Sequence, residues 1–166
     1  MAVIENNFET KGTHLFFIDT ATGSDPEVVK LTCPTGITGL NGGSADRIDT
    51  TCLDNVGKFR TNVPGFADPD ELSVPFVLYK GDGSHRALFP LHQSGQVIGW
   101  YCGLSDSEAA PTMDTEQANL VSPAARTGFS FRGSISNLTI DIATNEVVRG
   151  TLTIRPSGDT TPHWAA

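Results

Sequence analysis

The sequence predicts a mainly β domain carrying one short α-helix, and three observations predict it. The 166 residues include 17 glycines and 10 prolines, which divide the chain into many short elements separated by turns. Runs rich in Phe, Ile, Val and Thr place apolar residues at every second position, the period of a strand. Only one stretch has both an N-terminal capping residue and a glycine stop. The length fits a single domain, 1–166. A chain of this size buries roughly 68–70% of its unfolded surface, enough to fold without a disulfide or a metal.

Met1 to Lys11 is polar and reads as an N-terminal arm. Thr13 to Ile18 is a strand by composition, and Val28 to Thr32 is a second short one. Cys33 to Ser44 holds four glycines and reads as an exposed, pliable loop. Ala45 to Leu53 is extended. Leu72 to Tyr79 places Leu72, Val74, Phe76 and Leu78 on one face, and Pro75, with no amide hydrogen, predicts an edge position or a bulge. The helix follows a Gly81-Asp82-Gly83 turn, with Ser84 as cap, His85 to Gln93 as body and Gly95 as stop. Pro90 inside it costs about 3 kcal/mol relative to Ala, which predicts a short or kinked helix.

Gln96 to Leu104 returns to strand, with Ile98, Trp100, Cys102 and Leu104 on one face. Ser105 to Ala125 holds four acids and no base and reads as a long solvated loop. Phe129 to Ile142 begins with Phe129, Phe131, Gly133 and Ile135 on one face, then changes phase to Leu138, Ile140 and Ile142. That slip predicts a bulge. Thr144-Asn145 turns the chain, Glu146 to Ile154 pairs back, and residues 158–166 form a polar tail.

The net charge of −8 argues against a surface that grips nucleic acid, since that requires Lys and Arg to neutralise phosphates. Cys33, Cys52 and Cys102 are far apart and form no C-x-x-C pair, so they read as free thiols with no zinc or redox motif and no cofactor implied. No apolar run reaches membrane-spanning length, and Met1 to Thr10 lacks a signal-peptide pattern. The phosphate-loop, G-x-S-x-G and H-E-x-x-H patterns are absent, so no catalytic residue is assigned. His85 and His92 lie about 10 Å apart along the helix, too far to share a metal, and read as surface residues. Asp68/Asp70/Glu71 and Asp46/Asp49/Asp54 read as turn chemistry and solvated charge, with a glycosidase pair as the alternative.

The order and spacing of several motifs resemble the major tail tube proteins of long, flexible-tailed bacteriophages. They are Gly12-Thr13 at the first strand, Ala45-Asp46-Arg47-Ile48-Asp49-Thr50-Thr51-Cys52-Leu53-Asp54, and Arg60-Thr61-Asn62-Val63-Pro64-Gly65-Phe66-Ala67-Asp68-Pro69. The short helix ending at Gly95, the Trp100 strand and Thr151-Leu152-Thr153-Ile154 before Ser157-Gly158 complete the series. The resemblance implies a β-sandwich or partial barrel with one flanking helix, a fold shared with type VI secretion tube proteins. It further implies homo-oligomeric six-membered rings stacked into a hollow tube, with tape-measure and tail terminator or initiator proteins as partners and DNA passing through without specific binding. Localisation would be the virion, after assembly in the host bacterial cytoplasm.

By the same resemblance, the arm and the 33–44 loop with its following strand reach neighbouring rings. Gly36, Gly39, Leu40, Asn41, Arg47, Ile48, Arg60, Pro64 and Gly65 are the expected inter-subunit residues. Asp46, Asp49 and Asp141 are the expected lumen-facing acids, the alternative being that they face outward for solubility. Other readings of the chain are a secretion-type tube protein and a monomeric β-sandwich carbohydrate-binding module.

Overall fold

The computed structural model describes residues 7–166, so Met1 to Asn6 of the expected arm lie outside the described residues. The elements run in the order β1 His14–Asp19, β2 Glu27–Lys30, β3 Gly43–Asp49, β4 Asn62–Pro69, β5 Leu72–Val77, α1 Gly83–Ser94, β6 Ile98–Gly103, β7 Thr112–Met113, β8 Leu120–Val121, β9 Gly128–Asp141, β10 Arg149–Pro156 and β11 Thr161–His163. The main antiparallel sheet has the order β2-β1-β6-β9-β10-β5, with β11 also paired to β9. β3 pairs only with β4, and β7 only with β8.

The main sheet curls into a partial barrel. β1 and β5 are four places apart in the strand order, about 19 Å if the sheet were flat. Leu15 and Phe17 of β1 nevertheless share one buried cluster with Leu72, Val74 and Phe76 of β5. The chain after β2 closes the curl: Leu31 N donates to Leu15 O at 2.8 Å, and two residues later Cys33 O accepts from Val77 N at 3.2 Å. Trp100, fully buried, fills the centre between Phe17 and Phe131, with ring centroids 5.4 and 6.4 Å away. Its indole Nε1 donates to Gly133 O at 3.0 Å, so the polar end of this apolar side chain is satisfied. Ala87, Leu88 and Leu91 of α1 cover the same cluster.

The phase slip in β9 corresponds to a bulge. Thr153 pairs with Asn137 but Ile154 pairs with Ile135, leaving Ser136 as the extra residue. Pro75 lies on β5, the end strand of the ladder, consistent with its missing donor.

Three local expectations are corrected. The helix cap is Asp82, whose carboxylate accepts from Ser84 N at 2.8 Å; Ser84 itself is buried and its Oγ accepts from Thr32 N. His85 is 2% exposed rather than on the surface: Tyr79 N donates to its Nδ1 at 3.2 Å, leaving Nε2–H to donate to Thr32 O at 2.9 Å. The acid-rich 105–125 segment is not a free loop. It forms the β7–β8 hairpin and lays Leu120 and Met113 over the second face of the sheet, against Phe16, Ile18 and Tyr101. Pro90 does fall inside the helix, which still reaches Ser94 and stops at Gly95 in the left-handed region, φ 64°.

Burial pushes the Asp82 carboxyl up, but hydrogen bonds from Ser84 and Thr32 outweigh it and hold the group down at about 2. A depressed carboxyl stabilises the fold above its unfolded value and loses that contribution as pH falls through the folded one. Asp82→Ala is expected to lower stability by about 1 kcal/mol at neutral pH. The gap to the native protein should narrow between pH 4 and pH 2, which denaturant titrations at the two pH values measure.

Candidate assembly surface

The segment from Cys33 to Val77 is one long, bent antiparallel ribbon. At its base, residues 33–38 run along the open edge of β5: Thr35 N donates to Pro75 O at 2.8 Å, and Thr38 and Ser73 exchange both backbone bonds at 3.0 Å. The pairing then continues outward as β3 against β4, from Gly43 opposite Pro69 to Asp49 opposite Asn62. Past the last ladder pair, Thr50 N donates to Thr61 O at 2.9 Å, and residues 51–60 form the tip.

The glycines expected to make the 33–44 loop pliable in fact permit close pairing. Gly39 has φ 85°, and a side chain there would collide with Glu71 O. Gly65 and Phe66 together oppose Asp46 in a register shift, and a Cβ on Gly65 would stand 3.3 Å from Asp46 O. This bulge bends the ribbon where it leaves the body.

Beyond its base the ribbon buries almost nothing. Every residue of β3 is exposed. Leu53 and Val56 are wholly exposed at the tip, Phe59 is 86% exposed, and Phe66 on β4 is 96% exposed. Four large apolar side chains in water on one projection are not the scattered surface hydrophobics of an ordinary monomer. Charge does little to hold the tip: the Arg60–Asp49 pair, at 3.5 Å with both side chains in water, is worth at most about 1 kcal/mol. Hydrogen bonds from Thr51 hold the Asp49 carboxyl below its usual range, so it stays ionised.

The body has a second kind of unsatisfied surface. β2 is the end strand of the sheet, so the outward side of Glu27–Lys30 has no strand partner. β9 pairs with β6 only from Gly128 to Gly133, so Ser134 to Asp141 have a strand neighbour, β10, on one side alone. The inner face of this sheet is covered by the core and the second face over β1 and β6, while stretches of its edges have no strand partner.

The expected site residues divide accordingly. Gly36, Gly39 and Leu40 sit at the base of the ribbon, where Leu40 also packs against the core. Asn41, with φ 56°, precedes the outward run. Arg47, Ile48, Arg60, Pro64 and Gly65 lie on the projecting part. Asp46 and Asp49 are on β3, and Asp141 is at the end of β9 opposite Arg149. Sequence reasoning missed β4, β11 and the apolar tip residues. Leu53, Val56 and Phe59 follow no strand or helix period, and period was the signal sought.

Sequence reasoning also missed Arg126. It is fully buried, and its guanidinium donates to the carbonyls of Leu104, Ala109, Gly12 and Gly103 at 2.9–3.0 Å and lies 3.1 Å from His14 Nδ1. It ties the 105–125 segment to the start of β1.

Of the candidate carboxylates, Glu71 is held by Arg155 at 2.7 Å, and Asp46, Asp49 and Asp68 lie on the ribbon. Among the described residues no three His, Cys, Asp or Glu side chains are grouped to hold a metal. No helix of the described chain is long and apolar enough to cross a membrane. Cys102 is buried and its thiol is pushed up to about 11, whereas Cys33 and Cys52 are exposed. Trp100 and Tyr101 are fully buried, so they offer no aromatic platform for a sugar.

The arrangement is that of a structural building block, whose unsatisfied groups lie along strand edges and a projecting apolar ribbon instead of converging in a cleft. Residues 6–166 match the family described as phage tail tube, TTP, lambda-like, and the chain belongs to that family. It is 31% identical over 157 residues to Structural protein 3 of Pseudomonas phage PAJU2, covering 93% of this chain and 92% of the relative. Its fold is similar to that of the SPP1 tail tube protein, with a TM-score of 0.62, 13% identity and coverage of 96% and 81% of the two chains. It is also similar to the tail of the empty gene transfer agent particle, with a TM-score of 0.64, 14% identity and coverage of 95% and 100%. The sheath/tube terminator of the PVC extracellular contractile injection system gives a TM-score of 0.64 at 13% identity, covering 98% and 100%. The protein is thus a structural component of a phage virion, a siphovirus-type tail tube protein and not an enzyme. The fold expected from the sequence, mainly β with one helix, is the one observed.

Proposed function

We propose that copies of this chain join edge to edge into six-membered rings, and that the rings stack into a hollow tube through which DNA leaves the virion. The observation that carries this is that a sheet closed over one core on its inner face leaves edges without strand partners at β2 and along the outer half of β9. A strand edge with free N–H and C=O groups recruits another strand, an aggregation hazard in a monomer and a means of closure in a ring. Six-fold order draws support from the gene transfer agent tail, whose reconstruction has C6 symmetry. The projecting ribbon supplies contacts between rings.

The lumen in this assembly repels DNA. Duplex DNA carries one charge per about 1.7 Å of axis, and basic walls would hold it at each ring. With a net charge of −8, the subunit favours weak repulsion across a Debye length of about 8 Å. Asp46, Asp49 and Asp141 are the acids assigned to this wall. A tape-measure protein would fill the channel before DNA, terminator and initiator proteins would cap its ends, and assembly would take place in the host bacterial cytoplasm.

Electron microscopy of the purified protein, concentrated at neutral pH, tests the proposal. The expected result is rings or tubes with six-fold symmetry and these three acids on the channel wall. A protein that stays monomeric at high concentration, or tubes of another symmetry, would refute it.

A further inference from the structure

Arg126 and His14 form a buried cluster that lies apart from both the open strand edges and the ribbon. The guanidinium is fully buried, and among the described residues no carboxylate lies within ion-pairing distance of it. A slot is built for it, since a side chain at Gly103 would collide with its Nε and Cζ. Nε and Nη1 donate to Leu104 O and Ala109 O, while Nη2 shares its hydrogens among Gly12 O, Gly103 O and His14 Nδ1 at 3.0, 3.0 and 3.1 Å. One side chain thus joins the segment after β6 and the chain before β1 to β1 itself. Its contact with His14 also fixes a protonation state. A guanidinium has no acceptor, so Nδ1 carries no hydrogen and the imidazole is neutral, with its proton on Nε2.

We infer that this pair is a proton-operated latch: a neutral His14 keeps the 105–125 segment and residues 8–13 clamped to β1, and one proton on His14 loosens both. An imidazolium would point an N–H at a guanidinium N–H 3.1 Å away, donor against donor and cation against cation. The half-buried ring escapes only by turning toward water, giving up its edge-on contact with the Phe16 ring at 6.1 Å. The groups around His14 favour its neutral form. Burial does most, the cations Lys30 of β2 and Arg126 add to it, and Glu108 opposes them, so the ring is held below its ordinary value of 6.5. β6 places Gly103 opposite and adds no charge, and the Cys102 thiol beside it, pushed up to about 11 by burial, stays neutral. Burial pushes the Asp106 carboxyl up, but hydrogen bonds from Thr127 and the charge of Arg126 outweigh it and keep this group ionised. Glu9, tied to Ser105, and Lys11 are the charges that residues 8–13 bring. A histidine depressed in the fold contributes stability above 6.5 and loses it as pH falls through the folded value.

The latch belongs to the single subunit, so its test is independent of the assembly proposed above. Nitrogen NMR of the histidine side chains in the dispersed native chain should find His14 with its proton on Nε2 at about pH 7.5 and a titration midpoint below 6.5. Amide hydrogen exchange at about pH 7.5 and about pH 5.5, each corrected for the intrinsic rate, reads the clamp itself. The amides of Leu104, Asp114, Ala118 and Thr127 hydrogen-bond within or across the foot of the segment. Their protection should fall about fivefold or more at the lower pH, because the opened segment takes up the proton at the ordinary histidine value and the closed one resists it. His14→Asn keeps a side-chain acceptor near the place of Nδ1 but takes no proton, so the same amides should be equally protected at both pH values. A His14 midpoint at or above 6.5, a proton on Nδ1 at neutral pH, unchanged protection in the native chain, or an equal loss in His14→Asn would each overturn the inference. Thermal melts report whether the variant folds; if it does not, the titration and exchange of the native chain decide.

Discussion

Replacing Arg126 with Met is expected to lower stability by about 3–5 kcal/mol, because several buried carbonyls lose one shared donor at once. The figure is large because the loss is one-sided. Four carbonyl oxygens, of Gly12, Gly103, Leu104 and Ala109, take hydrogen bonds from this one guanidinium. Methionine fills much of the volume but donates nothing, so these acceptors are left without their donor, each at a cost of about 1–3 kcal/mol where water cannot enter. Arg126→Lys should rescue little, because an ammonium has three donors in a compact head and cannot span carbonyls on three separate segments. Denaturant melts of the three proteins measure this. The slope of the transition should also change, because release of the 105–125 segment exposes Phe16, Ile18 and Tyr101 before global unfolding.

Removing the ribbon tip is expected to have the opposite profile. Replacing residues 51–60 with Asn-Gly, a two-residue turn suited to joining Thr50 to Thr61, should leave the domain folded to within about 0.5 kcal/mol of the native chain. Those residues pack on no other part of the described molecule: Leu53, Val56 and Phe59 are in water and belong to neither core cluster. Assembly, in contrast, should be abolished. Burial of three such side chains in a neighbour contributes about 1.5–3 kcal/mol each before the cost of association is met. Sedimentation velocity of the shortened chain should show folded subunits or single rings and no tubes. Shortened chains that build tubes would assign the ribbon a role outside assembly.

These two regions also show what the sequence made legible. The interior strands could be read because burial on one face leaves a period of two: Leu72, Val74 and Phe76 are each at most 1% exposed, and the break of period at Ser136 marks a bulge. The helix end could be read because Gly95 adopts the conformation glycine favours. Its start was misplaced by two residues because Asp82 and Ser84 are both good caps, and what decides between them is Ser84's contact with Thr32, distant in sequence. The 105–125 segment read as solvated because its four acids dominate its composition. What fixes it is one arginine just outside it together with Leu120, and neither has a local signature. The ribbon was only half visible. Its motifs carried the family resemblance, but a strand with neither face buried leaves no alternation to detect. His85 went astray for a similar reason, since its two hydrogen-bond partners, Tyr79 and Thr32, are backbone groups that no pattern of side chains encodes.

The central claim is that backbone edges left unpaired within one copy become paired between copies. Amide hydrogen exchange, compared between the dispersed subunit and assembled tails, tests it most directly. The account predicts that amides of Glu27–Lys30, of the Ser134–Asp141 half of β9 and of the ribbon gain strong protection on assembly, while Phe17, Trp100 and Leu152 are protected in both states. A protection pattern that is the same in subunit and tail at those edges would contradict it.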